Sequence, residues 1–301
     1  MTRPAQGIGV VAERHTVDDR SVRWGQAPLA FELVSSDPGI LRRARVVFRP
    51  WTHAGVSAPL RRWFVDRTAS GEWLIHAPRD SSPLWRPTAE AAVRAIEFLA
   101  VNDLVECPEA TTLHAALVAR GERGIAILGP AEAGKSTLAA ALWQRGFSLL
   151  GDDLVIIDPA GVRAWPAPRR VSLRATSRDL LGETVWRRIV QTPAYEVTED
   201  GCLFHPDEVE SRPSFSRVRL AALVFLGRRH ADAEPARATL LPPAQALLAV
   251  LPYSNLIRRQ DAGTVIRHFQ PLVTNLPTYD LGRGAIDAMT ATIERLIAET
   301  P

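Results

Sequence analysis

The chain has 301 residues, of which 46 % are hydrophobic and 23 % charged, and its formal net charge is +3. That gives room for two ordinary domains, or one large one, with a sizeable core, and it excludes wholesale disorder. The arginines are scattered without a dense basic tract, so no nucleic-acid partner is expected.

Cys107 and Cys202 stand alone, which excludes a disulfide framework and the C-x-x-C spacing of zinc sites. The apolar stretch 8–12 is too short for a signal-peptide core, and the run 220–227 is too short to cross a bilayer. The expectation is a cytoplasmic protein with no membrane partner.

Residues 1 to about 20 are polar and irregular. From 29 to 76 short apolar runs alternate with turn signals, and 29–35, 44–48, 63–65 and 72–76 read as strands of a small antiparallel sheet. A Ser/Pro-rich link covers 81–87. Thr88 then caps a helix running to about Val101, with Val93, Ile96 and Leu99 on one face. These elements predict a smaller N-terminal α+β domain over 1–105.

The part from 106 to 301 opens with a strand at 113–119, a turn at 121–124 and a strand at 125–128. A helix follows from Lys135 to about Gln144, ended by Gly146, since glycine readily supplies the left-handed cap. Apolar runs at 147–150 and 154–157 flank Gly151-Asp152-Asp153. A strand at 220–226 and helices after Pro243, near 263–272 and at 285–299 complete an α/β pattern.

Between the strand and the helix lies Gly129-Pro130-Ala131-Glu132-Ala133-Gly134-Lys135-Ser136-Thr137, which fits G-x-x-x-x-G-K-[ST] without a mismatch. The glycines let backbone N–H groups and a helix N-terminus wrap phosphate oxygens. Lys135 then reaches the outer phosphates of a bound nucleotide, and the Ser136 hydroxyl is a Mg²⁺ ligand. Of the 36 Lys and Arg residues, Lys135 is the single lysine. A compact ammonium fits between backbone amides where a planar guanidinium does not, so this lysine marks a phosphate site. The lone lysine also removes competitors. No second lysine is left for a guanine-reading N-K-x-D motif or for the metal and phosphate sites of a phosphoenolpyruvate carboxykinase. No L-S-G-G-Q segment of a transporter ATPase occurs either. A kinase or an unusual ATPase remains. A phosphate loop does not read the ring, so the nucleotide base stays open.

Asp152 and Asp153 follow Lys135 by one short helix and one return strand, which brings them beside the loop. One carboxylate can hold Mg²⁺ and the other can take the proton of an attacking hydroxyl. A plain Gly-Asp-Asp turn is the alternative. His114, on the strand before the loop, is by itself a core histidine as readily as a functional one.

Three segments stand in order: Thr112-Leu113-His114-Ala115-Ala116-Leu117-Val118, then 124–137, then Arg145-Gly146-Phe147-Ser148-Leu149-Leu150-Gly151-Asp152-Asp153. Together they resemble the catalytic core of HPr kinase/phosphorylase. The resemblance covers residues 112–153. It implies a P-loop kinase core of the HPr kinase and phosphoenolpyruvate carboxykinase type, with Asp152 as general base, Asp153 on the metal side and His114 tuning Asp152. It further implies Mg-ATP as phosphoryl donor and a serine hydroxyl of a protein or peptide as acceptor. The N-terminal part does not follow the family's own. This points to the divergent relatives, some of which resemble kinases of precursor peptides, and gives residues 1–105 a partner-recognition role.

Arg169, Arg170 and Arg174, and separately Arg258 and Arg259, are further candidates for reaching a phosphate, or else solvated surface charges. The stretch 195–206, with Glu196, Glu199, Asp200 and His205, reads as an acidic loop over the site or as ordinary exposed loop. A small-molecule alcohol kinase and a nucleotide-binding regulatory module that never transfers phosphate are the alternative functions.

Overall fold

Asp37 starts the first helix of the chain. Its side chain accepts the N–H groups of Gly39 and Ile40, Pro38 occupies the first turn, and Ile40, Leu41, Ala44 and Val47 recur at helical spacing. The expected strand at 44–48 is therefore the end of a helix. The capped start and the 3.6-residue stripe outweigh the β-branched pair at Val46-Val47.

The computed structural model describes residues 20–26, 29–51, 60–77, 82–158, 162–167, 169–212, 217–227 and 236–299. All but the last residue of the expected irregular N-terminus lie outside them. The first sheet has the order β1-β2-β3-β4-β5. Its strands are β1 (Ser21–Gln26), β2 (Leu29–Val34), β3 (Leu60–Arg67), β4 (Trp73–His76) and β5 (Leu84–Arg86). Helix α1 (Pro38–Val47) bridges β2 and β3, which run parallel, while the other neighbours are antiparallel. The expected link at 81–87 thus supplies the edge strand β5. Helix α2 (Ala89–Val105), capped by Thr88, buries Val93, Ile96, Ala100 and Leu104 against Phe31, Trp63 and Ile75.

The second sheet is larger. Its strands are β6 (Thr111–Leu113), β7 (Ala115–Arg120), β8 (Arg123–Leu128), β9 (Ser148–Gly151), β10 (Val155–Ile157) and β11 (Arg163–Trp165). Helix α3 (Lys135–Gln144) stands between β8 and β9. A three-stranded sheet follows, made of β12 (Val171–Arg174), β13 (Glu196–Val197) and β14 (Gly201–Phe204), with the short helices α4 (Ser177–Leu181) and α5 (Glu183–Ile189) before β13. Then come α6 (Pro206–Val209), β15 (Val218–Leu226), β16 (Ala238–Leu240), α7 (Pro243–Val250), α8 (Ala262–Asn275), β17 (Thr278–Leu281) and α9 (Ile286–Glu299). The second sheet runs β6-β10-β11-β15-β8-β7-β9, and β17 pairs with β15 and β16. At its centre β15 lies parallel to β8 and to β17, with side chains buried along nearly its whole length. The architecture is mixed α/β, and among the described residues no helix is long and apolar enough to cross a membrane.

Leu154, Ile156 and Ala167 belong to the same buried cluster as the first sheet and α2. A buried ion cluster joins the two regions as well. The side chain of Arg170 is 0 % exposed. It donates from Nε and Nη2 to Glu97 Oε2 at 3.0 and 2.8 Å, and from Nη1 to Glu196 Oε2 at 2.7 Å. The backbone N–H of Arg170 donates to Glu97 Oε1 at 2.9 Å. Arg94 on α2 donates to the other oxygen of Glu196 at 2.6 Å. Arg170 and Arg94, with Arg43 at 3.8 Å, hold Glu196, and Arg170 holds Glu97 on three bonds, so each buried charge has its counter-charge. The stretch 195–206 is accordingly not an exposed loop. It supplies strands β13 and β14, Glu196 is nine-tenths buried, and buried His205 donates from Nε2 to the Val47 carbonyl at 2.7 Å. Burial pushes the His205 ring down to about 4.

Candidate active site

Sheet register brings the predicted residues together. β9 pairs antiparallel with β7, with Gly151 opposite Leu117, and β10 pairs antiparallel with β6, with Val155 opposite Leu113. The Gly151–Leu117 and Val155–Leu113 pairs share one register, although β9 shifts by one residue against β7 between Leu117 and Val118, and the ladder is interrupted at His114 on one side and at Asp152, Asp153 and Leu154 on the other. The break places His114 against the Asp pair. Asp153 has φ +64°, a left-handed value that Asp tolerates better than most residues. At Gly151 a Cβ would stand 2.8 Å from the Leu154 carbonyl, so the tight turn requires glycine there.

The loop 129–134 connects the end of β8 to α3. Gly134 has φ +90° and nothing within 4 Å of an added Cβ, which leaves open space over the start of α3. No side chain caps that helix, so its first N–H groups have no side-chain partner. Lys135 is 6 % exposed and donates from Nζ to the carbonyls of Gly129 at 3.0 Å and Pro130 at 3.1 Å. Burial lowers its pKa, while Asp153 and Asp152 pull it up. Within the loop, Ala133 N–H bonds to the Pro130 carbonyl. Exposed Glu132 pairs with Arg174 at 2.7 Å, so Arg174 meets a carboxylate in this structure. Thr137 Oγ1 lies 3.0 Å from Ser177 Oγ.

Asp152 is 1 % exposed. Its Oδ1 accepts from Ser136 Oγ at 2.8 Å and its Oδ2 from the Ser172 N–H at 3.1 Å. Burial first, and then the neighbouring Asp153 charge, push its carboxyl up to about 6. Asp153 is different. Its side chain is 32 % exposed, and Oδ2 lies 3.5 Å from Arg169 Nη1. His114 Nδ1–H donates to the Asp153 carbonyl at 3.0 Å, which leaves Nε2 as the unprotonated nitrogen of the neutral ring. Burial, followed by the Lys135 charge, lowers the His114 pKa. The ring therefore sits on Asp153 rather than on Asp152, and it is Asp152 that touches Ser136. Arg259 lies elsewhere and donates to the Val105 carbonyl.

The donor set suits a hard divalent cation in part. Ser136 Oγ and Asp152 would offer two oxygen ligands, and among the described residues no group of three His, Cys, Asp or Glu side chains could hold an ion alone. Mg²⁺ ordinarily keeps waters and takes substrate phosphates beside one or two carboxylates, and such an incomplete protein set fits that habit.

Two contributors escape sequence reading. The Ser172 N–H has no side-chain signature. Glu97 does have one, as a carboxylate inside the apolar stripe of α2 with Val93, Ile96, Ala100 and Leu104.

The raised pKa of Asp152 has a consequence for stability. Below about 4 the carboxyl is protonated both folded and unfolded. As pH rises from there through about 6 the folded state must ionise a buried group, so stability falls over that window. Asp152→Asn removes that penalty, since its amide can donate to Ser136 and accept from Ser172. In metal-free, nucleotide-free buffer the variant is expected to be more stable than the wild type above pH 6, by up to about 3 kcal/mol, and to lose the advantage toward pH 4. Denaturant titrations at pH 5 and pH 8 check this. An advantage that shrinks with rising pH contradicts it.

No protein-family model matches the chain, and no curated protein matches it. Among solved structures, the HPr(Ser) kinase/phosphatase from Coxiella burnetii matches with a TM-score of 0.34 at 13 % identity. The match covers 61 % of this chain and 94 % of that one.

Proposed function

We propose that this protein is a Mg-ATP-dependent kinase that transfers the γ-phosphoryl group to a serine hydroxyl of a protein or peptide. One observation supports it above the others. Ser136 Oγ is 2.8 Å from the buried Asp152, while the adjacent Asp153 is partly exposed, with its side chain 32 % accessible, beside Lys135, His114 and Arg169. A metal-side carboxylate and an accessible carboxylate, set next to a phosphate loop, are the two acidic groups that phosphoryl transfer to an alcohol requires.

In this reading the loop 129–137 is a P-loop holding the phosphates through backbone N–H groups and Lys135. Ser136 and Asp152 would hold Mg²⁺, which neutralises charge developing on the phosphate oxygens. Asp153, the reachable carboxylate, accepts the proton of the serine hydroxyl as its oxygen bonds to the γ-phosphorus and the bond to the bridging oxygen of ADP breaks. This exchanges the roles that the family resemblance implies for the two aspartates. His114 fixes the Asp153 backbone through its Nδ1–H and keeps the turn in its left-handed conformation.

Residues before 106 supply acceptor recognition in this reading. The edge strand β5, with Trp85 51 % exposed, offers an extended peptide a backbone to pair with. That role is tested by surface substitution rather than by cutting at 105, because the cut would strip Glu97 from buried Arg170.

Incubation with γ-labelled Mg-ATP and serine peptides encoded beside the gene, against the same peptides with alanine for serine and against free serine, tests the function. Label on the serine peptide is expected. Label on free serine alone favours the small-molecule kinase, and ATP binding without transfer to any acceptor favours the regulatory module.

A further inference from the structure

Arg169 has no role in the site as described so far, yet it stands at its rim. Its backbone is fixed on both sides: its own N–H donates to the Ala167 carbonyl at 2.8 Å, and Arg170 is clamped in the buried ion cluster. Three residues beyond Arg169, the Ser172 N–H holds Asp152. The segment 169–172 that orients the metal-side carboxylate therefore also presents the Arg169 guanidinium.

That guanidinium is incompletely used. Nε is buried without a hydrogen bond, and the contact from Nη1 to Asp153 Oδ2 is 3.5 Å. A charge-assisted bond closes to about 2.7–2.9 Å, so this pair is loose. A buried donor left unpaired is costly, and a ligand or water can satisfy it, as it could the Nε groups of Arg43, Arg61, Arg123 and Arg212, which are buried without a hydrogen bond too. The charges around Arg169 suggest which. Arg169 and Lys135 are the two side-chain cations that stand beside Asp152 and Asp153, and an anionic group is the ligand a guanidinium there would take.

We infer that Arg169 is a catalytic residue that leaves Asp153 and contacts the transferring phosphoryl group, acting as an arginine supplied from within the chain. The inference rests on the kinase reading above. In the resting site Arg169 shields Asp153. When Mg-ATP is bound its guanidinium turns to the γ-phosphoryl oxygens, whose geometry it matches better than a carboxylate at 3.5 Å. Asp153 is thereby freed to take the serine proton. No atom is transferred to or from Arg169; it stabilises charge on the equatorial oxygens as the bridging bond breaks and the serine oxygen bonds to phosphorus.

The test compares full-length wild type, Arg169→Ala and Arg169→Lys for binding of Mg-ATP and of Mg-ADP with aluminium fluoride, a mimic of the planar transferring group. An interaction made mainly in the transition state leaves ATP affinity within about threefold in Arg169→Ala. The same substitution is expected to weaken analogue binding and turnover by about 10³-fold, the lower range for an arginine of this kind. Arg169→Lys keeps the charge and recovers part of the loss.

A purely structural counter-ion to Asp153 would behave otherwise. In an Asp153→Asn background Arg169→Ala would then cost nothing more, whereas contact with the phosphoryl group predicts a further loss of analogue affinity. Equal losses of ATP and analogue binding, or none in the double variant, overturn the inference while leaving the kinase reading intact. Failure of the wild type to bind either ligand overturns both. Should Arg169→Ala unfold, Arg169→Lys against wild type in the same two titrations decides the question.

Discussion

Lys135→Ala is expected to weaken Mg-ATP binding and to abolish measurable turnover, with a loss of about 10²–10³-fold or more, the scale of removing one preorganised charge stabiliser. The reasons are local and chemical. Nζ is held on the carbonyls of Gly129 and Pro130, at the inner wall of the loop, and the residue is buried. In this position an ammonium can swing from backbone carbonyls to phosphate oxygens without moving the loop. No other lysine exists in the chain to replace it. Lys135→Arg should fail nearly as badly, because a planar guanidinium needs more room than the space between loop amides. Circular dichroism and thermal melting check that the variant folds. Calorimetric titration with Mg-ATP and a turnover assay then read the effect. Full activity in the alanine variant rules out a phosphate loop at 129–137.

Asp153→Asn should separate binding from chemistry. The amide cannot take the serine proton, and transfer is expected to fall by about 10²–10⁴-fold, the usual contribution of a positioned general base. Mg-ATP affinity should change little, because Asp153 has no bond to Ser136. Asp152→Asn should do the opposite. It removes the charge beside Ser136 Oγ, so saturation should require much more Mg²⁺ while the proton acceptor remains. Both variants are measured by titrating Mg²⁺ at fixed ATP and by single-turnover transfer. Should Asp152→Asn keep Mg²⁺ affinity and lose transfer, with Asp153→Asn showing the Mg²⁺ defect, the two roles are those that the family resemblance implies.

Much of this site is legible in the sequence because its parts are local. The loop, the helix that leaves it and the left-handed end at Gly146 depend on glycines and on residues within a few positions. The strand break at His114 is subtler. A continuous strand at 113–119 is the natural reading of that apolar run, and only pairing with β9 and β10 splits it into β6 and β7. The partition of the Asp pair was not readable. It turns on the φ of Asp153 and on the Ser172 N–H, both set by tertiary contacts.

The N-terminal region shows the opposite balance. The runs 63–65 and 72–76 became β3 and β4, while Asp37-Pro38 started a helix that the apolar run at 44–48 concealed. The ion cluster of Glu97, Arg170 and Glu196 spans 73 residues between its first two members, and although Glu97 stands out in the apolar stripe of α2, no local pattern announces its partners. Glu196 reads as loop charge until β13 and β14 bury it. Charged residues are read as surface by default, and here that prior fails because each carboxylate has an arginine partner.

The most direct test of the central claim is a crystal structure of the full-length protein with Mg²⁺ and a non-hydrolysable ATP analogue. The expected result has the β- and γ-phosphates on the N–H groups of the 129–136 loop, with Lys135 Nζ moved from its carbonyls to phosphate oxygen. The metal should lie on Ser136 Oγ at about 2.1 Å, on the Asp152 side, and Asp153 should be left facing the γ-phosphate. A loop with no phosphate on it at saturating analogue, or a metal held by Asp153 with Asp152 remote from it, contradicts the claim.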